Sequence, residues 1–246
     1  MGYTETGSKG TNVVRYGSFG TQGGPLNSGD AFTCDVDGNG VFDEKYERFY
    51  YVSDYWNTKT REFEGDTAVL IYYRSTYLGQ GTTSQIASSY LSPVTSGPNI
   101  SNLPKSSLWQ NVSLKNTKRD ILAFREGEEM TITIEDFDYE GYSARLLTIP
   151  EAKAGCNVAT IQGGGAETDS TCMYMYENSR FVINELGKTE SIGVPLENAY
   201  IGTTSSEDNY RWFIQSRNAA GFHPTSASTR VSMRPVIEVP KNKISY

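Results

Sequence analysis

The chain is expected to fold as an α+β domain, mostly antiparallel β with two short helices and long loops, and three observations carry that expectation. Two aromatic and β-branched runs, Arg48 to Trp56 and Asp66 to Arg74, flank a polar stretch of hairpin character. Helix signals come next, a Ser/Thr-x-x-Glu start at Thr148 and Glu151 and a Gly stop at Gly187. Strand-like patterns return afterwards at Tyr200 to Thr203, Tyr210 to Gln215 and Val231 to Val239. With 246 residues the chain is long enough for one large domain.

Taken in order, residues 1–30 are Gly-rich with little apolar periodicity and read as a flexible lead-in. A single domain is expected over residues 31–240, followed by a tail at 241–246. The hairpin opens it. Residues 75–118 are dominated by Ser, Thr, Gly, Pro and Asn, so a long insertion is expected at about 75–140, containing one half-buried strand, Met130 to Ile134, of period two. The first helix starts at Thr148 with Pro150 in its first turn, and the second includes Arg180 to Leu186. Pro235 and Pro240 mark the last strand as an edge or irregular one.

Composition narrows the function. The net charge is −7, and no basic patch stands against it, which argues against nucleic acid and anionic membrane surfaces as partners. The densest charge run, Glu126 to Glu140, is acidic and reads as a solvated face, with a cation site as the alternative. No run approaches the 18 or more apolar residues of a spanning helix, and the first residues lack the basic and apolar regions of a signal peptide. An exported protein needs such an element, so a targeting segment preceding Met1 is the expectation.

The motif richest in chemistry is Asp35-Val36-Asp37-Gly38-Asn39-Gly40-Val41-Phe42-Asp43. Oxygen ligands at loop positions 1, 3, 5 and 9, a carbonyl at 7 and Gly at 6 suit calcium. The candidate ligands are Asp35, Asp37, Asn39, the Val41 carbonyl and Asp43. Position 12 is Tyr46 instead of Glu, with Glu44 two places early and Glu47 one late, and strand follows where an EF-hand has helix. A short calcium loop before or between strands therefore competes with a plain Asx/Gly turn.

Three cysteines are present, Cys34, Cys156 and Cys172. The stretch between the latter two has no metal-ligand pattern, so a Cys156–Cys172 disulfide is expected, implying an oxidising compartment, against the alternative of two buried thiols. His223 is the only histidine, and no nucleophile elbow or phosphate-cradling loop accompanies it. No catalytic set emerges.

Ala144-Arg-Leu-Leu-Thr-Ile-Pro-Glu-Ala152, Gly155-Cys156 and Val231-Ser-Met-Arg-Pro-Val-Ile237 together resemble the C-type-lectin-like domain of Gram-positive bacterial surface and prepilin-like proteins. Glu47 to Asp54 and Tyr210 to Gln215 are similar to that family's first strand and penultimate hairpin. The resemblance implies an extracellular or cell-surface module that binds a cell-surface protein or glycan. It also allows the globular head of a type IV pilin-like filament subunit, packing against like subunits and reaching the membrane only through a removed N-terminal helix. It further implies that the segment between the second helix and the last strand carries ligand, with Asn209, Tyr210, Arg217, Asn218 and His223 as the recognition residues. Formylglycine-generating relatives act through C-terminal cysteines; no Cys follows 172 here, so that activity does not carry over.

Overall fold

The computed structural model describes residues 2–3, 25–43, 47–73, 86–87, 100, 103–125, 128–156, 174–175, 193–201, 210–215, 221–226, 231–232 and 234–244. The architecture is mostly antiparallel β with one helix among the described residues, broadly α+β. Two five-stranded sheets enclose the main core.

The first sheet runs β1 (Gly2–Tyr3), β2 (Ala31–Thr33), β3 (Arg48–Asn57), β4 (Glu62–Tyr72) and, joined to β4, β12 (Val236–Pro240). The β3–β4 pair is the expected hairpin, with Tyr50 opposite Ile71 and bulges near Ser53 and Tyr55. Away from the turn, over Arg48–Ser53 and Thr67–Tyr72, both of its faces are buried, which explains why these stretches read as near-continuous apolar runs instead of alternating ones. Tyr50, Val52, Val69 and Ile71 face the core between the sheets. Phe49, Tyr51, Leu70 and Tyr72 face a second cluster, which Trp109, Leu108 and Val112 cover from outside.

In the second sheet the order is β10 (Gly221–Ser226), β9 (Tyr210–Gln215), β8 (Gly193–Ile201), β6 (Lys118–Arg125) and β7 (Glu128–Asp138), where β5 (Ile86–Ala87) and β11 (Val231–Ser232) form a separate pair. All neighbours are antiparallel except β6 and β8. Here the structure departs from the insertion expected at about 75–140, because β6 and β7 are integral strands of this sheet. Lys118, Arg119 and Asp120 hide the strand pattern: Arg119 is buried in an ionic network instead of exposed. The acidic run lies largely on β7, the edge of its sheet, where Asp136 is exposed and charge discourages further strand pairing.

Helix α1 (Ile149–Cys156) starts as a capping box. The Thr148 N–H donates to Glu151 Oε2 at 3.1 Å, the Glu151 N–H donates to Thr148 Oγ1 at 3.4 Å, and the first helical turn closes at Thr148 O. Ile149, Ala152 and Cys156 enter the central core. Gly155 is required by close packing, since a Cβ there would lie 2.7 Å from Val52 Cγ1 and 2.9 Å from Tyr174 Oη. The second helix expected over Arg180 to Leu186 lies outside the described residues.

The segment preceding α1 stitches the sheets together. Arg145 exchanges backbone hydrogen bonds with Val236 of β12, and Glu197 of β8 donates its N–H to Leu147 O at 2.8 Å. Around this seam lies a buried ionic network. Arg145 reaches both Glu151 oxygens, at 2.6 and 2.9 Å, and Glu238 at 2.5 Å, while Arg119 Nε lies 3.1 Å from Glu197. Both guanidiniums stand over the Tyr55 ring, at 5.6 and 5.4 Å. Tyr139 and Tyr55 add hydroxyl bonds to Glu197 and Arg119. Burial alone would raise the Glu151 pKa, but the Arg145 guanidinium outweighs it and the carboxyl is held below its ordinary value.

The last expected strand is divided. Val231–Ser232 pairs with β5, then Arg234 turns inward and its guanidinium, fully buried, donates to the carbonyls of Tyr72, Tyr174 and Met175 before β12 begins. β12 is an edge strand, as the two prolines suggest. Residues read as lead-in and tail are partly built in. Asp30 is buried and bonded to the Asn27 N–H, Lys241–Lys243 forms a 3-10 turn, and Ile244 packs on the second cluster.

Candidate cation loop

The loop joining β2 to β3 carries the Asp/Asn/Gly motif. After Thr33 the ladder is extended once, by the Cys34 N–H to Glu47 O at 2.9 Å, and the chain then leaves the sheet. Gly38 and Gly40 turn it through the left-handed region, with φ of 76° and 81°, where a Cβ is disfavoured. The turns are locked by short side chains: Gly40 N–H donates to Asp35 Oδ2 at 3.1 Å, Asn39 N–H to Asp37 Oδ1 at 3.1 Å, and Val41 N–H to Asn39 Oδ1 at 2.7 Å. Asn111, distant in sequence, fastens the loop by donating its amide to Asp35 O at 2.7 Å and its N–H to Val36 O at 3.0 Å.

This folding brings three carboxylates together. One oxygen each of Asp35, Asp37 and Glu47 lies within 4.8 Å of the others, the one such group among the described residues. A calcium ion takes oxygens at about 2.3–2.6 Å, so two ligands on one ion stand at most about 5 Å apart. The cluster fits that span. Asp35 Oδ1 is shielded from solvent and has no hydrogen-bond donor, a costly state for a carboxylate oxygen that a cation would relieve. Asp37 and Asn39 are exposed, leaving the outer side of the loop open to water or further ligands.

Glu47 is the residue that the 12-residue template places one position late. It is buried, and its two oxygens accept the N–H groups of Val36 at 3.0 Å and Asp43 at 2.9 Å, so it clamps both ends of the loop. Asp43 contributes its backbone N–H to this clamp and is not among the clustered carboxylates. Glu44 lies outside the described residues. Burial raises the Glu47 pKa, the two accepted N–H bonds lower it, and the charges of Asp37 and Asp35 raise it further, for a net upward shift.

That shift has a measurable sign. A carboxyl whose folded pKa exceeds its unfolded value stabilises the fold at low pH and loses that contribution as pH rises through the folded pKa. Without metal, stability is expected to fall as pH climbs from the ordinary Glu range through the raised pKa of Glu47. Glu47→Gln should flatten that fall. Urea midpoints measured in chelator across pH 4–7 test it, and an identical decline in both proteins would overturn the assignment.

The other expected site residues fall differently. Tyr210 and His223 occupy β9 and β10, where Tyr210 pairs with Ser226 and His223 with Phe213, three registers apart. Asn209, Arg217 and Asn218 lie outside the described residues, as does Cys172. Cys156 is buried at the end of α1, and Cys34 is a free buried thiol whose pKa burial pushes up. No helix of the described residues is long and apolar enough to cross a membrane. The chain matches no protein-family model, no curated protein and no solved structure.

Proposed function

We propose that the chain is a non-enzymatic, calcium-stabilised ligand-binding module of C-type-lectin-like fold, acting at a bacterial cell surface or on a pilus. The carrying observation is the convergence of Asp35, Asp37 and Glu47 within 4.8 Å around a solvent-shielded, undonated Asp35 oxygen. Three like charges at that spacing repel, and hard oxygen donors with an open outer side favour calcium over softer metals. Asn39 Oδ1 and the Val41 carbonyl remain the nearest further donors by position in the loop, with water completing the shell. The Cys156–Cys172 bond belongs to the same reading, since Cys34 is free and an exported module meets an oxidising compartment.

The lectin-like part of the reading rests on the sequence resemblance together with the role of its motif. Arg145 to Thr148 joins the two sheets and caps α1, which gives that stretch a structural reason for its residue types. Calorimetric titration of metal-stripped protein with calcium chloride is expected to show one site, absent in Asp37→Ala. No heat in the unmodified chain beyond dilution would remove the proposal.

A further inference from the structure

Asn39 is the only Asn in the chain that Gly follows. Such a pair allows an intramolecular reaction, in which the backbone nitrogen of the second residue attacks the side-chain carboxamide carbon of the first and closes a succinimide ring. Gly favours the attack, because no Cβ stands beside the incoming nitrogen. At Gly40 the surroundings are open as well: beyond its chain neighbours a Cβ there would meet no atom within 4 Å, and both residues are exposed, so water reaches the ring.

Two features of an ordinary peptide hold this reaction back. The amide nitrogen keeps its proton and is a poor nucleophile, and negative charge builds on the carboxamide oxygen as its carbon becomes tetrahedral. The loop supplies a group for each. Gly40 N–H donates to Asp35 Oδ2 at 3.1 Å, within the reach of a general base. The other Asp35 oxygen accepts no hydrogen bond, so the charge of this carboxylate is shared with few donors. Asn39 Oδ1 accepts the Val41 N–H at 2.7 Å, the distance of an oxyanion donor. Asn39 Nδ2 donates to Asp37 Oδ2 at 3.0 Å, so the carboxamide is held at both ends.

We propose that Asn39 is a self-modification site, converting in the folded chain through a succinimide to Asp and isoaspartate with Asp35 as the base. The Gly40 nitrogen gives its proton to Asp35 and bonds to Asn39 Cγ. The Cγ–Nδ2 bond then breaks, and Nδ2 leaves as ammonia with the proton that solvent carries over from Asp35. One water opens the ring at either carbonyl, leaving a carboxylate on an ordinary backbone or on one lengthened by a methylene. No oxidant or cofactor enters. The first product sets a further negative charge beside Asp35 and Asp37; the second adds a methylene to a backbone that the turn bonds on both sides. The chemistry does not depend on the cation reading.

The test incubates the full chain in chelator at neutral pH, folded and in guanidinium chloride, alongside Asp35→Asn, which keeps an acceptor for the Gly40 N–H but no base. Mass spectrometry of the loop peptide follows the exchange of NH2 for OH at Asn39, with Asn27, which Ser follows, as internal reference, and an isoaspartyl methyltransferase reports the isomer. Conversion at Asn39 is expected to be faster in the folded than in the unfolded chain, to give both isomers, and to slow by about tenfold or more in Asp35→Asn. Asn39 intact in the folded chain, conversion no faster than in guanidinium chloride, Asp as the sole product, or an equal rate in Asp35→Asn would each overturn the proposal. The comparison of folded with unfolded chain uses no variant, so a folding defect in Asp35→Asn leaves the test standing. Calcium titration separates this from the preceding proposal: a calcium site without conversion sinks the modification alone, whereas conversion without a calcium site sinks the cation loop alone.

Discussion

Arg145→Met is expected to cost about 3–5 kcal/mol, the range for removing one partner of a buried ion pair. The side chain is fully buried, and four acceptor oxygens depend on it: both Glu151 oxygens, Glu238 Oε1 and Leu146 O. Glu151 retains the N–H groups of Trp56 and Thr148, and Glu238 keeps the Lys115 N–H, but neither has a second cation as close as the one lost. Adding Glu151→Gln to the variant should recover part of the loss, because a neutral amide no longer carries an uncompensated charge. Against a typical total of about 5–15 kcal/mol, the single change threatens folding itself. Urea denaturation of the two variants measures it, and a loss under about 1 kcal/mol for Arg145→Met would show that the network is dispensable.

Burial on both faces makes that network matter. The first sheet is covered by the second sheet and α1 on one side and by the Trp109 segment on the other, so polar groups at the seam have no solvent to fall back on. Arg119, Arg145, Glu197 and Glu238 are each almost fully excluded from water and must satisfy one another.

Much of this was legible from local pattern. The β3–β4 hairpin, the strand Tyr210–Gln215 and the capping box at Thr148 and Glu151 depend on residues close in sequence, where period, turn chemistry and caps act directly. The centre of β7, Met130 to Ile134, reads as a strand from its period of two, but β6 does not, because its charged residues Lys118, Arg119 and Asp120 read as surface, and the region as a whole reads as an insertion instead of sheet. Arg119 is paid for by Glu197 seventy-eight positions away, which no local window reveals. Asn111 was equally hidden: an Asn in a polar stretch reads as loop until the fold lays it against Asp35. At the cation loop the motif is visible, yet its third clustered carboxylate, Glu47, falls one place late for the 12-residue template. A template counted along a helix puts that ligand at Tyr46, whereas here a strand follows, and the first residue of its approach, Glu47, turns its side chain back onto the loop.

The strongest consequence of the cation reading is thermal. Binding only the folded state at free calcium of 100 times the dissociation constant adds about 2.7 kcal/mol. For a chain of this size about 2–4 °C accompanies each kcal/mol, so the melting temperature should rise by roughly 5–10 °C over that in chelator. Magnesium should do less at equal concentration, because the cluster offers several anionic oxygens in a loop instead of an octahedral cage with retained waters. Asp37→Ala should melt in chelator near the unmodified chain, since Asp37 is exposed and bonds only within the loop, and should lose the calcium increment. The measurement is therefore a pair of melting curves, in calcium and in chelator, for the unmodified chain and for Asp37→Ala. A calcium-dependent rise present in the first and absent in the second is the expected result; superimposed curves for the unmodified chain would contradict the account.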